Sequence, residues 1–205
     1  MTALLERFQE TTVSSPKKSD SYWFHVTSQM FDQMIDTGVI DNESRVELLD
    51  GYLVEIEEMK PAHVNRTIDL TERLVMQFSS KAQVSCQNSI ELPQDGRPQP
   101  DFAILRRDRP KGGYAHPEDV YLIIEVSDTS LQKDRDWKTM IYARDGINEY
   151  WILNLKTNQL EVYRDPEEAR YTTTFVLKSG QLATCLAFPD DQIDWFSGLE
   201  ATLES

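Results

Sequence analysis

The chain reads as an α/β domain in which a sheet is flanked by helices, with a short helix and a β-hairpin ahead of the core. Two patterns predict this. Apolar residues recur at intervals of three and four in three stretches, the signature of amphipathic helices, and runs rich in branched and aromatic residues, bounded by Gly and Pro, read as strands. From residue 61 onward the predicted order is helix, three strands, helix, strand.

Residues 1–21 are polar, hold Ser14, Ser15, Pro16 and the pair Lys17 and Lys18, and keep no apolar period, so they are expected to form an arm. A single domain is expected over residues 22–200. Thr27 is suited to cap a helix running to Asp36, with Gly38 as its left-handed stop and Met30, Phe31, Met34 and Ile35 on one face. Between Arg45 and Ile56, Asp50-Gly51 separates two β-prone runs, a strong hairpin signal because that dipeptide tolerates positive φ; Glu47 falls on the first strand. Pro61 suits a first helical position and opens a helix of about 18 residues, on which Val64, Ile68, Thr71, Val75 and Phe78 recur with Leu74 beside them. Strands are predicted over 84–92, 100–107 and 120–127. A helix follows over 134–145, with Trp137, Met140, Ile141 and Arg144 as its stripe and Gly146 as its stop. Strands at 149–154 and 159–164 then flank a tight turn at Thr157-Asn158, and 171–178 adds another. No internal repeat interrupts this order.

At 205 residues, 40% apolar and 27% charged, the chain is long enough to bury a core and lies near globular norms. No apolar run reaches the roughly 18 residues of a membrane span, and the first residues lack the basic segment and apolar stretch of a signal peptide. A cytoplasmic protein without membrane contact is therefore expected. Cys86 and Cys185, far apart and in no metal-ligand spacing, are expected to be reduced packing residues. The balance of 21 Lys and Arg against 35 Asp and Glu gives a net charge of −14, which repels a polyanion at long range. Against that trend, Arg106, Arg107, Arg109 and Lys111 are locally basic. They fit either a solvated loop or phosphate contacts.

Glu125 is the most informative residue, because it interrupts the apolar run Val120–Val126. Ionising a carboxylate inside a central strand costs several kcal/mol unless a positive or hydrogen-bonding group compensates it. It is either an exposed strand end paired with a base or a functional acid. Asp101 opens the preceding strand, so if the two strands are neighbours both acids share one pocket. Two carboxylates that leave coordination sites to water and phosphate suit Mg²⁺. Lys138, on the next helix and outside its apolar stripe, fits either a surface pair with Asp134 or a cation reaching the strand end to orient water.

Taken together, Pro100-Asp101, Glu125 through Ser130, Asp134 through Lys138, Tyr142 through Ile147 and Glu149-Tyr150-Trp151-Ile152, with Val46 through Gly51 and Pro61 through His63 earlier, resemble the Uma family of restriction-endonuclease-like proteins over about residues 22–178. The resemblance implies a PD-(D/E)XK nuclease core, a central mixed sheet flanked by helices, whose element order matches the one read above. It implies that Asp101 and Glu125, with the main-chain carbonyl of Val126, hold Mg²⁺ (or Mn²⁺ in its place). Ser127 stands where the family fold commonly has a lysine two residues after the acid, so the role passes to Lys138. Glu47 becomes a further carboxylate at the metal or water, and His63 an accessory group at phosphate or water. The implied activity is endonucleolytic cleavage of DNA. Its rivals are a catalytically inactive binding or regulatory module on the same scaffold, and a hydrolase of RNA or another phosphorylated substrate. A homodimer suits cutting of two strands; the late aromatics Tyr150, Trp151, Tyr163 and Phe175 would serve either a dimer surface or the core. Any specificity would come from loops, with 108–118 the first candidate.

Overall fold

The computed structural model describes residues 24–41 and 44–196, so the expected arm lies outside the described residues. Helix α1 (Ser28–Asp36) starts as predicted: Thr27 Oγ1 accepts from Met30 N at 3.2 Å. Its buried face is narrower than expected. Phe31, flanked by Met30 and Met34, packs on Val26 and Leu48, while Ile35 stays 38% exposed because the helix covers only the hairpin behind it.

Strands β1 (Val46–Leu49) and β2 (Tyr52–Glu55) form that hairpin. Asp50 and Gly51 both take positive φ, 51° and 78°. At Gly51 the glycine is required twice over, since a Cβ there would meet the His25 ring at 2.2 Å.

Helix α2 (Pro61–Phe78) has the predicted length, but its phase is different. Thr67, Leu70, Leu74 and Phe78 are buried, whereas Ile68 and Val75 are 62% and 43% exposed. The buried stripe keeps the predicted Leu74 and Phe78 but is rotated by roughly 70° from the predicted centre, toward Leu70 and away from Ile68 and Val75. Leu70 and Leu74 dock into the sheet alongside Phe102, Ile104, Leu122 and Ile124.

The main sheet has six strands in the order β3-β4-β5-β6-β7-β8: β3 (Ala82–Cys86), β4 (Phe102–Arg106), β5 (Val120–Ser127), β6 (Glu149–Asn154), β7 (Gln159–Glu167) and β8 (Arg170–Lys178). All pairings are antiparallel except β5 with β6, which are parallel and joined by a helical crossover, so the sheet is mixed. Strand β3 stops at Cys86 instead of continuing to residue 92, because Gln87 turns to φ 52° and its N–H bonds to the Asp101 carbonyl. A hairpin that the sequence did not announce, β9 (Leu182–Cys185) with β10 (Phe188–Asp194), follows.

Helix α3 runs in three consecutive stretches, Leu131–Lys133, Asp134–Lys138 and Thr139–Arg144. The middle stretch is a π-turn, in which Thr139 N–H bonds to the Asp134 carbonyl five residues back. Alternation along β5 divides the core: Leu122, Ile124 and Val126 join the cluster under α2, while Ile123 faces Trp137, Ile141 and Tyr142 of α3. Glu125 lies on the α3 side of that alternation. Both cysteines are free thiols, Cys185 buried and Cys86 partly so. Among the described residues no helix is long and apolar enough to cross a membrane.

Candidate active site

Antiparallel pairing sets the start of β4 beside the end of β5, with Phe102 opposite Ile124. Asp101 and Glu125 therefore become neighbours. Val126 N donates to Asp101 Oδ2 at 2.8 Å, and Asp101 N approaches Glu125 Oε2 at 3.4 Å. Both acids line a pocket of about 390 Å³ together with Glu47, His63, Val126, Asp134 and Lys138.

Each acid has one oxygen firmly held and one that is not. Asp101 Oδ2 takes the Val126 N–H and lies 3.1 Å from His63 Nε2; its Oδ1 meets the Gln87 amide only at 3.5 Å. Glu125 Oε1 accepts from Lys138 Nζ at 2.8 Å and Tyr142 O–H at 3.2 Å; its Oε2 has the long Asp101 N–H contact. Oxygen donors held from behind and open in front match the preference of hard divalent cations. Among the described residues no three His, Cys, Asp or Glu side chains are set to hold a metal by themselves. A cation here would thus rest on the two acids, the Val126 carbonyl and water.

Lys138 is almost fully buried, so the surface pairing with Asp134 does not form. Its ammonium sits between Glu125 and Glu47, 3.2 Å from Glu47 Oε2. Asp134 turns inward instead, accepting from Ser127 Oγ at 2.6 Å and Ser130 Oγ at 2.7 Å. Burial raises the Glu125 carboxyl to about 8; Lys138 opposes the shift and Asp134, Asp101 and Glu47 add to it. Burial also acts on Glu47, but Lys138, Lys133 and the Gln99 N–H outweigh it and hold that carboxyl below the usual range. His63 is raised: burial works against the charge, and Asp101 overcomes it. Acids pushed in opposite directions within one cleft make it a candidate functional site.

The family model for Uma2, described as "Putative restriction endonuclease", matches residues 28–195. This chain belongs to the Uma2 family. Its fold is similar to that of a protein from Anabaena variabilis ATCC 29413 described as "a putative nuclease belonging to DUF820", with a TM-score of 0.66 at 15% identity, over 85% of this chain and 99% of that one. No curated protein matches the sequence. The central mixed sheet and the family together give a restriction-endonuclease-like fold and support a nuclease.

In this Uma2 chain, Asp101, Glu125, Val126, Lys138, Glu47 and His63 are all brought to one pocket. Arg106, Arg107 and Arg109 are not. They lie at the far end of β4, where Arg106 pairs with Asp108, Arg107 donates to the Ser79 carbonyl and Arg109 reaches Gln83. Tyr150 and Trp151 are fully buried, and only Phe175 of the late aromatics is exposed, at 37%. Among the pocket residues that escaped the sequence reading are Lys133, Asp134 in its inward role, and Gln87. Lys133 and Asp134 carry no signal at a 3.6-residue period, because a π-turn sets their direction; Gln87 sits in a turn that only its positive φ reveals.

Proposed function

We propose that this Uma2 protein is a Mg²⁺-dependent endonuclease that hydrolyses phosphodiester bonds in DNA in the cytoplasm. The observation that carries the reading is the arrangement of Asp101 and Glu125, each held at one oxygen and open at the other on a shared pocket. Asp101, Glu125 and the Val126 carbonyl would hold the cation. Bound there, it supplies Lewis acidity at a phosphoryl oxygen and lowers the pKa of a water. The chain's own groups do the rest. Lys138 fixes Glu125 and steadies developing negative charge, His63 holds Asp101 Oδ2 in place, and Glu47 completes the acidic pocket. Cutting both strands of a duplex calls for two such sites, which a two-fold pair of chains would supply.

A second reading keeps the scaffold as a binding or regulatory module. The net charge of −14 and Ser127 in place of a strand lysine favour it. A third takes RNA or another phosphorylated compound as substrate; the acidic rim residues Glu57, Glu58 and Asp128 repel any long polyanion and so favour a small phosphorylated compound. One experiment separates them: supercoiled, linear and single-stranded DNA and RNA are incubated with Mg²⁺ or Mn²⁺, using wild type, Asp101→Ala and Lys138→Ala. Metal-dependent cutting of DNA lost in both variants is the expected result. Cutting of RNA alone would move the substrate, and a folded protein that neither cuts nor binds metal would favour the module.

A further inference from the structure

The π-turn in α3 does more than bury Lys138. In an α-helix, residues five apart point about 140° away from each other; the wider turn over Asp134–Lys138 brings Lys133 and Lys138 round to the same side, and both reach Glu47. Lys133 Nζ lies 3.1 Å from Glu47 Oε1, and Lys138 Nζ 3.2 Å from Glu47 Oε2. Gln99 N also donates to Oε2, at 3.2 Å. Both Glu47 oxygens are therefore occupied by donors from the protein, which sets it apart from Asp101 and Glu125.

The two lysines differ in what holds them. Lys138 is shared by two buried carboxylates, and its side chain is 5% exposed. Among the described residues Lys133 forms an ion pair only with Glu47; it keeps 11% exposure and lines the pocket. If Lys133 swings toward a ligand, Glu47 keeps Lys138 and the Gln99 N–H. Of the other pocket cations, Arg45 is exposed and Lys60 is at the rim, 3.9 Å from Asp128.

Resting on the nuclease reading above, we propose that Lys133 is a substrate-binding residue that leaves Glu47 to contact a phosphate of the bound strand, and that Glu47 is a positioning residue for the two lysines, outside the metal shell. A long, flexible cationic side chain suits this task, because it can pass from carboxylate to phosphate while keeping its charge.

The test is anisotropy of a fluorescein-labelled DNA duplex in Ca²⁺ over a series of salt concentrations, with wild type, Lys133→Ala and Lys133→Arg, beside urea denaturation of each. Lys133→Ala is expected to bind about tenfold or more weakly and to lower the salt slope by about 1. Lys133→Arg should restore most of the affinity, and urea midpoints should stay close to wild type. Unchanged affinity and slope in Lys133→Ala would overturn the proposal while leaving the nuclease reading to be judged by wild-type cleavage in Mg²⁺. Loss of affinity in both variants with a lowered urea midpoint would also overturn it, marking Lys133 as a structural tie to Glu47. A wild type that neither binds nor cuts the duplex would overturn the proposal and the DNA reading together.

Discussion

The Lys138 ammonium lies 2.8 Å from Glu125 Oε1, with the two side chains only 5% and 6% exposed. This contact ties α3 to the central strand β5, and through Glu47 it ties both to the hairpin. A buried cation between two acids is hard to remove singly, because its loss strands the charges it compensated. At about pH 9, above the Glu125 value of about 8 and so with both acids ionised, Lys138→Met is expected to cost about 3–5 kcal/mol by urea denaturation. Adding Glu125→Gln should recover a large part of that, a coupling that a double-mutant cycle reads directly. Additive losses would show that the pair contributes no specific interaction.

The raised Glu125 carboxyl makes a signed pH prediction. Its folded value, about 8, stands above the ordinary 4.5, so the folded chain holds this proton more tightly than the unfolded chain does. The associated stability is fully present below about 4.5 and is lost as pH rises toward and through about 8. Relative to Glu125→Gln, wild type without added metal should lose thermal stability across that window. Mg²⁺ should reverse the loss, raising Tm more at about pH 8 than at about pH 5, because cation and proton compete for the same carboxylate. An equal Mg²⁺ effect in Glu125→Gln would remove Glu125 from the cation site.

Asp101→Asn separates cation binding from folding. An amide oxygen can still accept the Val126 N–H, now 2.8 Å from Oδ2, so stability should stay within about 1 kcal/mol of wild type. The anionic donor is lost, and calorimetric titration with Mg²⁺ or Mn²⁺ should show little or no heat of binding. Undiminished binding would place the ion elsewhere.

Much of the fold was legible because it is local. Asp50-Gly51 fixed the hairpin through two positive φ angles, and Pro61 opened α2 at the expected residue. The phase of α2 was not local information: Ile68, Val75 and Leu74 all fit an apolar stripe, and only the docking of Leu70 and Leu74 on the sheet decides between faces. The end of β3 was lost for a related reason, since Gln87 leaves the strand through a backbone angle that its residue type does not advertise. At the site, Glu125 stood out as a charge inside an apolar strand and Asp101 as its partner. Lys138 carried two readings, because a 3.6-residue wheel cannot show a π-turn. That same turn hid Lys133 and the inward direction of Asp134.

Arg66 gives the last prediction, on stability alone. It lies on α2 only 3% exposed, and among the described residues none of its three guanidinium nitrogens finds a hydrogen-bond partner. Burial lowers its pKa and Arg73 adds to this, with Asp69 and Asp194 opposing through charge at a distance. An unsatisfied buried charge costs more than the apolar stem returns, whereas methionine keeps a stem of similar reach and adapts to irregular space. Arg66→Met should therefore raise stability by about 1–3 kcal/mol in urea denaturation. Because Arg66 is not among the pocket-lining residues, metal binding should be unchanged. A destabilised variant would mean that the guanidinium makes a compensating contact in solution, and the helix would then owe part of its docking to a charge that the apolar stripe alone does not explain.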